Sequence, residues 1–294
     1  MALSGDSRTR HQVDPDAFGV LHAPPPYAYR CPYGSSTAEE CGNRAAAHVG
    51  ELIDEHQDVA AVIMEPNAGT NGIVAPANYW PALRAQTRSR NVYLIADEVM
   101  SGFGRCGEWF AWQRYGEEGR PDLMTLAKGL TGAHLPLGAV VLSAELSQRL
   151  EREMLYTGLT YCGHPLACAA GVAAIEAYGD ERLIERSRSL GALDVRALES
   201  ACRQSIPSSA TCGAATACSP WSSWCATVAR ANRSAAWPES PPALKHLVRD
   251  ALQRDVSFAI RGNLILLAPP LVIAENELGD ALTLLDELLA AVRF

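Results

Sequence analysis

The sequence predicts an α/β fold in which short buried strands alternate with amphipathic helices. Four apolar runs have the length of buried strands, at residues 59–64, 92–96, 122–126 and 139–142. Segments with helical spacing of apolar residues lie before, between and after them, at residues 36–55, 76–89, 146–154 and 165–178. Short apolar strands that alternate with helices are typical of a mostly parallel sheet whose faces are covered.

The second part of the chain predicts a smaller α/β layer of its own. Helical patterns at residues 181–198, 243–254 and 275–292 accompany two strand-like runs, at residues 256–260 and 264–267. Apolar side chains repeat along one face of the last of these helices, at Leu278, Leu282, Leu285 and Leu289. We therefore divide the chain into a large domain over residues 1–178 and a small C-terminal domain over residues 179–294.

Residues 204–229 interrupt this pattern. The segment contains no Asp, Glu, Lys or Arg and shows no period of 2 or 3.6. A structureless loop of this length is uncommon inside a compact domain. We interpret the segment as the product of a reading-frame error that replaces the native element, and we expect it to be poorly ordered. A functional loop and a cysteine-based metal site are the alternatives.

Composition argues against several classes of protein. A net charge of −8 argues against a general nucleic-acid binder, which needs a basic face. No apolar run approaches the ~20 residues that cross a bilayer, and Met1–Asp16 lack the apolar core of a signal peptide, so we expect a cytoplasmic protein. The nine cysteines include no CxxC pair, which indicates reduced thiols and no metal site.

An acidic pair, Asp97 and Glu98, ends the predicted strand that begins near Val92. In open α/β sheets, ligands bind at the carboxyl ends of the strands. The pair is therefore a candidate for ligand binding, and the alternative is a helix cap or a surface carboxylate.

Lys128 follows the next predicted strand and is expected at the same edge. Only Lys128 and Lys245 are lysines among the 25 basic residues, so a lysine here indicates chemistry that arginine cannot perform. A lysine at such an edge can form a Schiff base with a carbonyl compound. The alternative is an ordinary exposed lysine.

Two glycine-containing segments are candidate phosphate sites. Gly158–Pro165 lies just before a predicted helix, whose N-terminal amides can bind phosphate together with the Thr160 hydroxyl; the alternative is an ordinary helix cap. Gly102–Gly107 matches GxGxxG, the dinucleotide fingerprint of NAD-dependent oxidoreductases. Aromatic residues follow this motif where a helix with small residues should begin. An NAD-dependent oxidoreductase is therefore the less favoured function.

Several motifs in the same order resemble those of class III pyridoxal-phosphate (PLP) aminotransferases. The stretch from Leu94 to Val140 contains Asp-Glu-Val, Gly-x-Gly-Arg-x-Gly with following aromatic residues, Pro-Asp, Ala-Lys-Gly and Pro-Leu-Gly. The upstream Glu-Pro-x-x-Gly element and two downstream elements also match, at residues 65–72, 158–170 and 260–271. The resemblance implies PLP-dependent transferase fold type I and amino-group transfer from an amine or amino acid to a keto acid. The Tyr27–Arg30 context and the Glu65 element are similar to the taurine–pyruvate branch.

The resemblance also implies roles for individual residues. Lys128 would form the Schiff base with PLP and move protons, and Asp97 would keep the pyridine nitrogen protonated. Val99 would pack on one face of the ring. Thr160 would donate to the cofactor phosphate of the neighbouring subunit, which implies a homodimer. Arg261 would bind a substrate carboxylate through a bidentate pair, with a surface arginine as the alternative.

The sequence departs from the family in one respect that affects activity. Family members carry, before the region that matches Ala17, a phosphate loop and an aromatic residue that stacks on the second face of the ring. That region resembles nothing in this sequence, so the large domain is expected to be partial and the activity impaired. A catalytically dead fragment or pseudoenzyme, retained as a dimerisation or folding module, is the alternative function.

Overall fold

The computed structural model describes residues 3–5, 19–69, 72–191, 226–227, 240, 242–261 and 264–291. The strands are β1 (Ala61–Met64), β2 (Tyr93–Asp97), β3 (Leu123–Leu126), β4 (Ala139–Leu142), β5 (Ala226–Thr227), β6 (Ala259–Arg261) and β7 (Leu264–Leu267). The helices are α1 (Ala38–His56), α2 (Tyr79–Ser89), α3 (Ala144–Arg152), α4 (Pro165–Asp180), α5 (residues 183–191), α6 (Pro242–Leu252) and α7 (Glu275–Ala291). Among these helices, none is long and apolar enough to span a membrane.

The first sheet has the strand order β1-β2-β3-β4. The pairings of β1 with β2 and of β2 with β3 are parallel, as predicted, whereas β3 and β4 are antiparallel. A parallel pair needs a long crossover connection, usually a helix. Residues 127–138 contain only one 3-10 turn and loops, so the chain returns along β3 in the opposite direction.

Helices α1 and α2 cover one face of this sheet. Their apolar side chains pack against Leu94 and Ala96 of β2 in a core that includes Ala45, Val49, Ile53, Trp80 and Leu83. The opposite face is only partly covered by the described residues. Tyr93 and Ile63 point to the opposite face and are 37% and 38% exposed, and Val140 of β4 is 59% exposed. Side chains alternate along a strand, so one covered face leaves every second residue open.

Local signals fix the ends of α1. Thr37 is the N-cap residue, and its hydroxyl accepts a hydrogen bond from the Glu40 amide at 3.1 Å. The helix ends at Gln57, which adopts a left-handed conformation with φ of 54° and donates its amide to the Ile53 carbonyl. Both ends thereby satisfy backbone groups that the helix itself leaves unpaired.

A second, antiparallel sheet with the order β5-β7-β6 lies in the C-terminal part. Helices α6 and α7 pack against it through a core that contains Leu244, Leu247, Ile265, Leu285 and Leu289. The predicted small α/β layer is therefore present. Apart from the backbone of Ala226–Thr227, the segment 204–229 lies outside the described residues. The domain division near residue 178 stays a prediction.

A buried ion pair joins α2 to the central strands. The Arg84 guanidinium donates two hydrogen bonds of 2.7 Å to the Asp122 carboxylate, and the Leu94 amide donates a third, also of 2.7 Å. The side chains of Arg84 and Asp122 are only 8% and 20% exposed. The Pro-Asp motif before β3 is thus a structural feature, since its carboxylate connects a helix, a neighbouring strand and its own strand.

We expect Asp122→Asn to lower the free energy of unfolding by about 3–5 kcal/mol, because it leaves the buried Arg84 charge without a counter-ion. Urea titration followed by circular dichroism measures the change. The matched control is Asp54→Asn, which removes an equally close ion pair between Asp54 and Arg90. The Asp54 side chain is 60% exposed. That control should cost less than about 1 kcal/mol. Equal losses for the two variants would contradict the structural role of Asp122.

Candidate active site

The carboxyl ends of β1, β2 and β3 bring Glu65, Asp97 and Lys128 to one edge of the sheet. Met64 pairs with Ala96, so Glu65 and Asp97 follow neighbouring positions of two parallel strands. Asp97 in turn pairs with Thr125, three residues before Lys128. The charges of Asp97 and Lys128 both act on Glu65, so the three groups are close together.

Asp97 is half-buried and held in a fixed position. Its Oδ1 atom accepts hydrogen bonds from the Val99 amide at 3.1 Å and from the Thr125 hydroxyl at 3.2 Å. No hydrogen bond to the second carboxylate oxygen is found among the described residues. The carboxylate is therefore oriented by its own loop and by the neighbouring strand, with Oδ2 available to a ligand at the sheet edge.

Lys128 begins a 3-10 turn directly after β3 and has a φ of 45°. A left-handed conformation is uncommon for a residue with a side chain, and such strain concentrates at functional positions. The backbone is fixed by the next residue, because a Cβ on Gly129 would lie 2.7 Å from the Cβ of Phe103. The exposed Lys128 side chain lines an open depression of about 680 Å³ with Ala127, Thr131, Ala133 and residues 135–138.

Glu65 is the site residue to which sequence reasoning assigned no role. Burial, together with the negative charge of Asp97, raises the pKa of Glu65 to about 7, although the positive charge of Lys128 and the Gly69 amide oppose the rise. A carboxyl group with this pKa exchanges protons near neutral pH. Its position after β1 was the available signal, because it repeats the placement of Asp97 after β2.

Glu98 is fully buried and has a structural function. Its carboxylate accepts hydrogen bonds from the amides of Ala111 and Trp112 at 3.0 and 2.9 Å and from the Ser101 hydroxyl at 2.5 Å. Burial raises the pKa of Glu98, and these hydrogen bonds oppose the shift. The two acidic residues therefore have different roles: Asp97 faces the sheet edge, whereas Glu98 holds the turn at Ala111–Tyr115 in place.

The segment Gly102–Gly107 forms a tight turn and does not lead into a helix. Phe103 and Gly104 donate their amides to the carbonyls of Trp109 and Glu108, at 2.6 and 3.1 Å. Gly104 has a φ of +84°, and a Cβ there would meet Ile184 at 2.8 Å. Because the dinucleotide fingerprint requires a helix after its glycines, this geometry disagrees with the oxidoreductase alternative.

The three other predicted site residues, Val99, Thr160 and Arg261, lie in three different segments of the chain. Val99 is half-buried in the loop after Asp97. Thr160 is exposed in a loop five residues before Pro165, which begins α4. Arg261 ends β6, and its side chain lies outside the described residues. Among the residues that the structure describes, no cluster of His, Cys, Asp and Glu could hold a metal ion.

Comparison with known proteins places this chain in a family. Residues 1–289 match the family model for aminotransferase class-III. The putrescine–pyruvate aminotransferase of Pseudomonas aeruginosa is 38% identical over 193 residues, which are 64% of this chain and 42% of that protein. Gamma aminobutyrate transaminase 1 of Solanum lycopersicum is 35% identical over 193 residues, 63% of this chain and 37% of that protein. The chain spans about two fifths of the length of these relatives.

Solved structures agree with this assignment. A transaminase determined with L-alanine superimposes with a TM-score of 0.85 at 24% identity, over 99% of this chain and 68% of that chain, which shows the shared fold. A PLP-bound amine transaminase from an uncultivated Pseudomonas species has a TM-score of 0.79 and 28% identity, over 91% of this chain and 61% of that chain. The chain therefore belongs to the class III aminotransferase family.

Proposed function

We propose that this chain carries the catalytic edge of an aminotransferase that moves an amino group from an amine or amino acid to a keto acid with PLP. The observation that carries the proposal is the grouping of Asp97, Lys128 and Glu65 at the ends of three adjacent parallel strands. A fixed carboxylate and a primary amine are the groups this reaction needs, and Glu65 adds a carboxyl group whose pKa is raised to about 7.

The residues at this edge fit the cofactor. The Oδ2 atom of Asp97 would pair with the pyridine nitrogen, and the Lys128 amine would bind the cofactor carbonyl. When bound, PLP supplies an electron-withdrawing ring that stabilises negative charge at the carbon that loses a proton. Asp97 maintains this property by holding a positive charge on the ring nitrogen, and Val99 and Thr125 keep the carboxylate in place for it.

Lys128 would act as the base and acid of the reaction. Its Nζ atom would take the proton from the α-carbon of the donor and return it on the other side of the transferred nitrogen, at the former carbonyl carbon of the cofactor. The strained backbone of Lys128 and the contact of Gly129 with Phe103 support this role, because both fix where the side chain begins. Glu65 lies beside Lys128 and Asp97 with a pKa raised to about 7, and it would balance their charges during the transfer.

The other contacts concern the ring face, the phosphate and the substrate. Val99 lies next to Asp97 in the chain and would pack on the ring. Thr160 is exposed and would bind the phosphate of a neighbouring subunit in a homodimer, which the exposed apolar side chains around it support. Arg261 would bind the substrate carboxylate.

For the substrates, we propose pyruvate as the amino acceptor and a small unbranched amine as the donor. Two resemblances support this choice: the motif context of the taurine–pyruvate branch, and the putrescine–pyruvate aminotransferase among the relatives. Alanine formation from pyruvate with either taurine or putrescine, at saturating PLP, tests the donor. Turnover on the order of 1 per second is that of an ordinary enzyme. We propose that this chain turns over more slowly than that. Absorbance of the bound cofactor without any turnover would favour the non-catalytic alternative.

We expect Lys128 to be the residue that binds the cofactor covalently. Borohydride reduction in the presence of PLP should fix the cofactor to the Lys128 amine, and peptide mapping by mass spectrometry locates the label. The control is Lys128→Arg, which keeps the charge but should lose the label. Modification of Lys245 with an unlabelled Lys128 would overturn the assignment.

We expect Asp97→Asn to reduce turnover by about a hundredfold or more and to weaken PLP binding, because an amide cannot hold the charge on the ring nitrogen. The amide oxygen still accepts from Val99 and Thr125, so unfolding should be unchanged. Steady-state assays and PLP titration followed by absorbance measure both effects. The exposed Asp58→Asn variant is the control. Turnover within twofold of the unaltered chain would contradict the role.

The raised pKa of Glu65 predicts a pH-dependent stability. Between pH 4.5 and about 7 the folded chain binds more protons at Glu65 than the unfolded chain does. The free energy of unfolding without cofactor should therefore fall as pH rises through this window, by at most about 3 kcal/mol, and then level off. Glu65→Gln should remove the part of this fall that Glu65 contributes in urea titrations, leaving that of the buried Glu98, whereas the exposed Glu55→Gln should retain the whole of it. An unchanged profile for Glu65→Gln would show that Glu65 ionises normally.

A further inference from the structure

Tyr178, near the end of α4, forms a hydrogen bond with the 3-10 turn that begins at Lys128. Its hydroxyl donates to the Gly129 carbonyl at 2.9 Å, although the two residues are 49 positions apart in the sequence. The side chain is buried, so water competes little for this acceptor. Burial also raises the pKa of Tyr178, against the opposing charge of Arg105, and the hydroxyl therefore keeps its proton and remains a donor.

Neighbouring aromatic rings fix the direction from which this hydroxyl arrives. The Tyr178 ring stacks on Phe103 with their centroids 5.8 Å apart and an angle of 27° between the planes. Trp109 contacts the same ring edge-on at 6.0 Å. Offset stacking and edge-on contacts are favourable arrangements of aromatic rings, and here they restrict how the side chain can turn. The hydroxyl is therefore placed by packing as well as by its hydrogen bond.

The 3-10 turn itself is packed between Phe103 and α4. A Cβ on Gly129 would lie 2.7 Å from the Cβ of Phe103, so the backbone passes directly against this side chain. On the side of α4, a Cβ on Gly171 would lie 3.5 Å from the Leu130 carbonyl. The two glycines allow this close approach, and Tyr178 adds a polar contact to it.

The carbonyl that Tyr178 binds also closes the turn. The Gly129 carbonyl accepts a second hydrogen bond, from the Gly132 amide at 3.1 Å, and the Lys128 carbonyl accepts one from the Ala133 amide at 3.3 Å. The φ of 45° at Lys128 is a strained conformation that persists only where the surroundings hold it. A contact that fixes the Gly129 carbonyl therefore favours the strained conformation of the preceding residue.

We propose that Tyr178 is a positioning residue for Lys128. By holding the Gly129 carbonyl, its hydroxyl keeps the Lys128 backbone in the conformation from which the amine reaches the cofactor carbonyl. The inference rests on the proposed function, in which Lys128 binds the cofactor covalently. Tyr178 acts through Gly129 and takes no proton in the reaction. The net effect of one hydrogen bond between neutral groups corresponds to a change of about two- to tenfold in an equilibrium constant.

The test compares Tyr178→Phe with Tyr33→Phe. Both variants keep the aromatic ring and remove one hydroxyl that donates to a backbone carbonyl, since the Tyr33 hydroxyl donates to the Pro24 carbonyl at 2.6 Å. Without cofactor, Tyr178→Phe should speed amide hydrogen exchange at Gly132 and Ala133 by about two- to tenfold, because the turn opens more often. Tyr33→Phe should leave the exchange of these two amides unchanged.

The same two variants are then titrated with PLP, reduced with borohydride and mapped by mass spectrometry. Tyr178→Phe should need about two- to tenfold more PLP for half-maximal labelling of Lys128, whereas Tyr33→Phe should match the unaltered chain. Urea titrations measure the free energy of unfolding separately. A hydroxyl that contributes only to stability would lower this free energy in either variant and would leave the labelling of Lys128 as it is.

The outcomes distinguish this inference from the proposed function. An unaltered chain that carries no label at Lys128 would overturn the proposed function and the inference with it. Equal labelling of Lys128 in Tyr178→Phe and in the unaltered chain would overturn the inference alone. Unchanged hydrogen exchange at Gly132 and Ala133 in Tyr178→Phe would do the same, because the hydroxyl would then not hold the turn.

Discussion

The candidate site depends on the hydrogen bonds that the Asp122 carboxylate accepts. This carboxylate accepts two hydrogen bonds from Arg84 of α2 and one from the Leu94 amide of β2. It thereby fixes the start of β3 against both the helix and the neighbouring strand. The register that follows places Asp97 opposite Thr125, and three residues later the chain reaches Lys128. A shift of one residue would turn the side chains of β3 to the other face of the sheet and separate the amine from the carboxylate.

The carboxyl groups of Glu65, Asp97 and Glu98 lie close together in this part of the fold, and like charges repel. The structure reduces this repulsion at Glu65 and at Glu98 in different ways. Partial burial and the negative charge of Asp97 make Glu65 retain its proton more strongly, while the Lys128 charge opposes this effect. Glu98 follows Asp97 directly, but three donors satisfy it inside the core, away from the sheet edge. The result is a site with one oriented carboxylate, one amine and one group that can change its charge near neutral pH.

The sequence was sufficient to predict the strands of the first sheet to within about two residues, because their apolar runs are short and bounded by polar turns. It also placed Asp97 and Lys128 at one edge, since parallel strands end together. It could not predict the reversal of β4, which depends on the connection after Lys128 forming no helix. It assigned Asp97 and Glu98 together, because only packing shows that one is buried at the turn. Glu65 was overlooked because its raised pKa follows from burial and from the charge of Asp97, which is distant in the sequence.

The surface around Thr160 connects the fold to the proposed assembly. Apolar side chains are exposed there in close succession, with Tyr156 at 91%, Leu159 at 78% and Tyr161 at 80%, and Leu166 and Val172 of α4 are 62% and 57% exposed. Several exposed apolar side chains in one short segment favour an interaction site. In a homodimer the partner would cover these side chains and bring its cofactor phosphate to the Thr160 hydroxyl. Burial of these apolar side chains would then supply the binding energy of the dimer. Thr160 needs this support, because in the single chain its side chain is exposed and is not held in place by packing against the described residues.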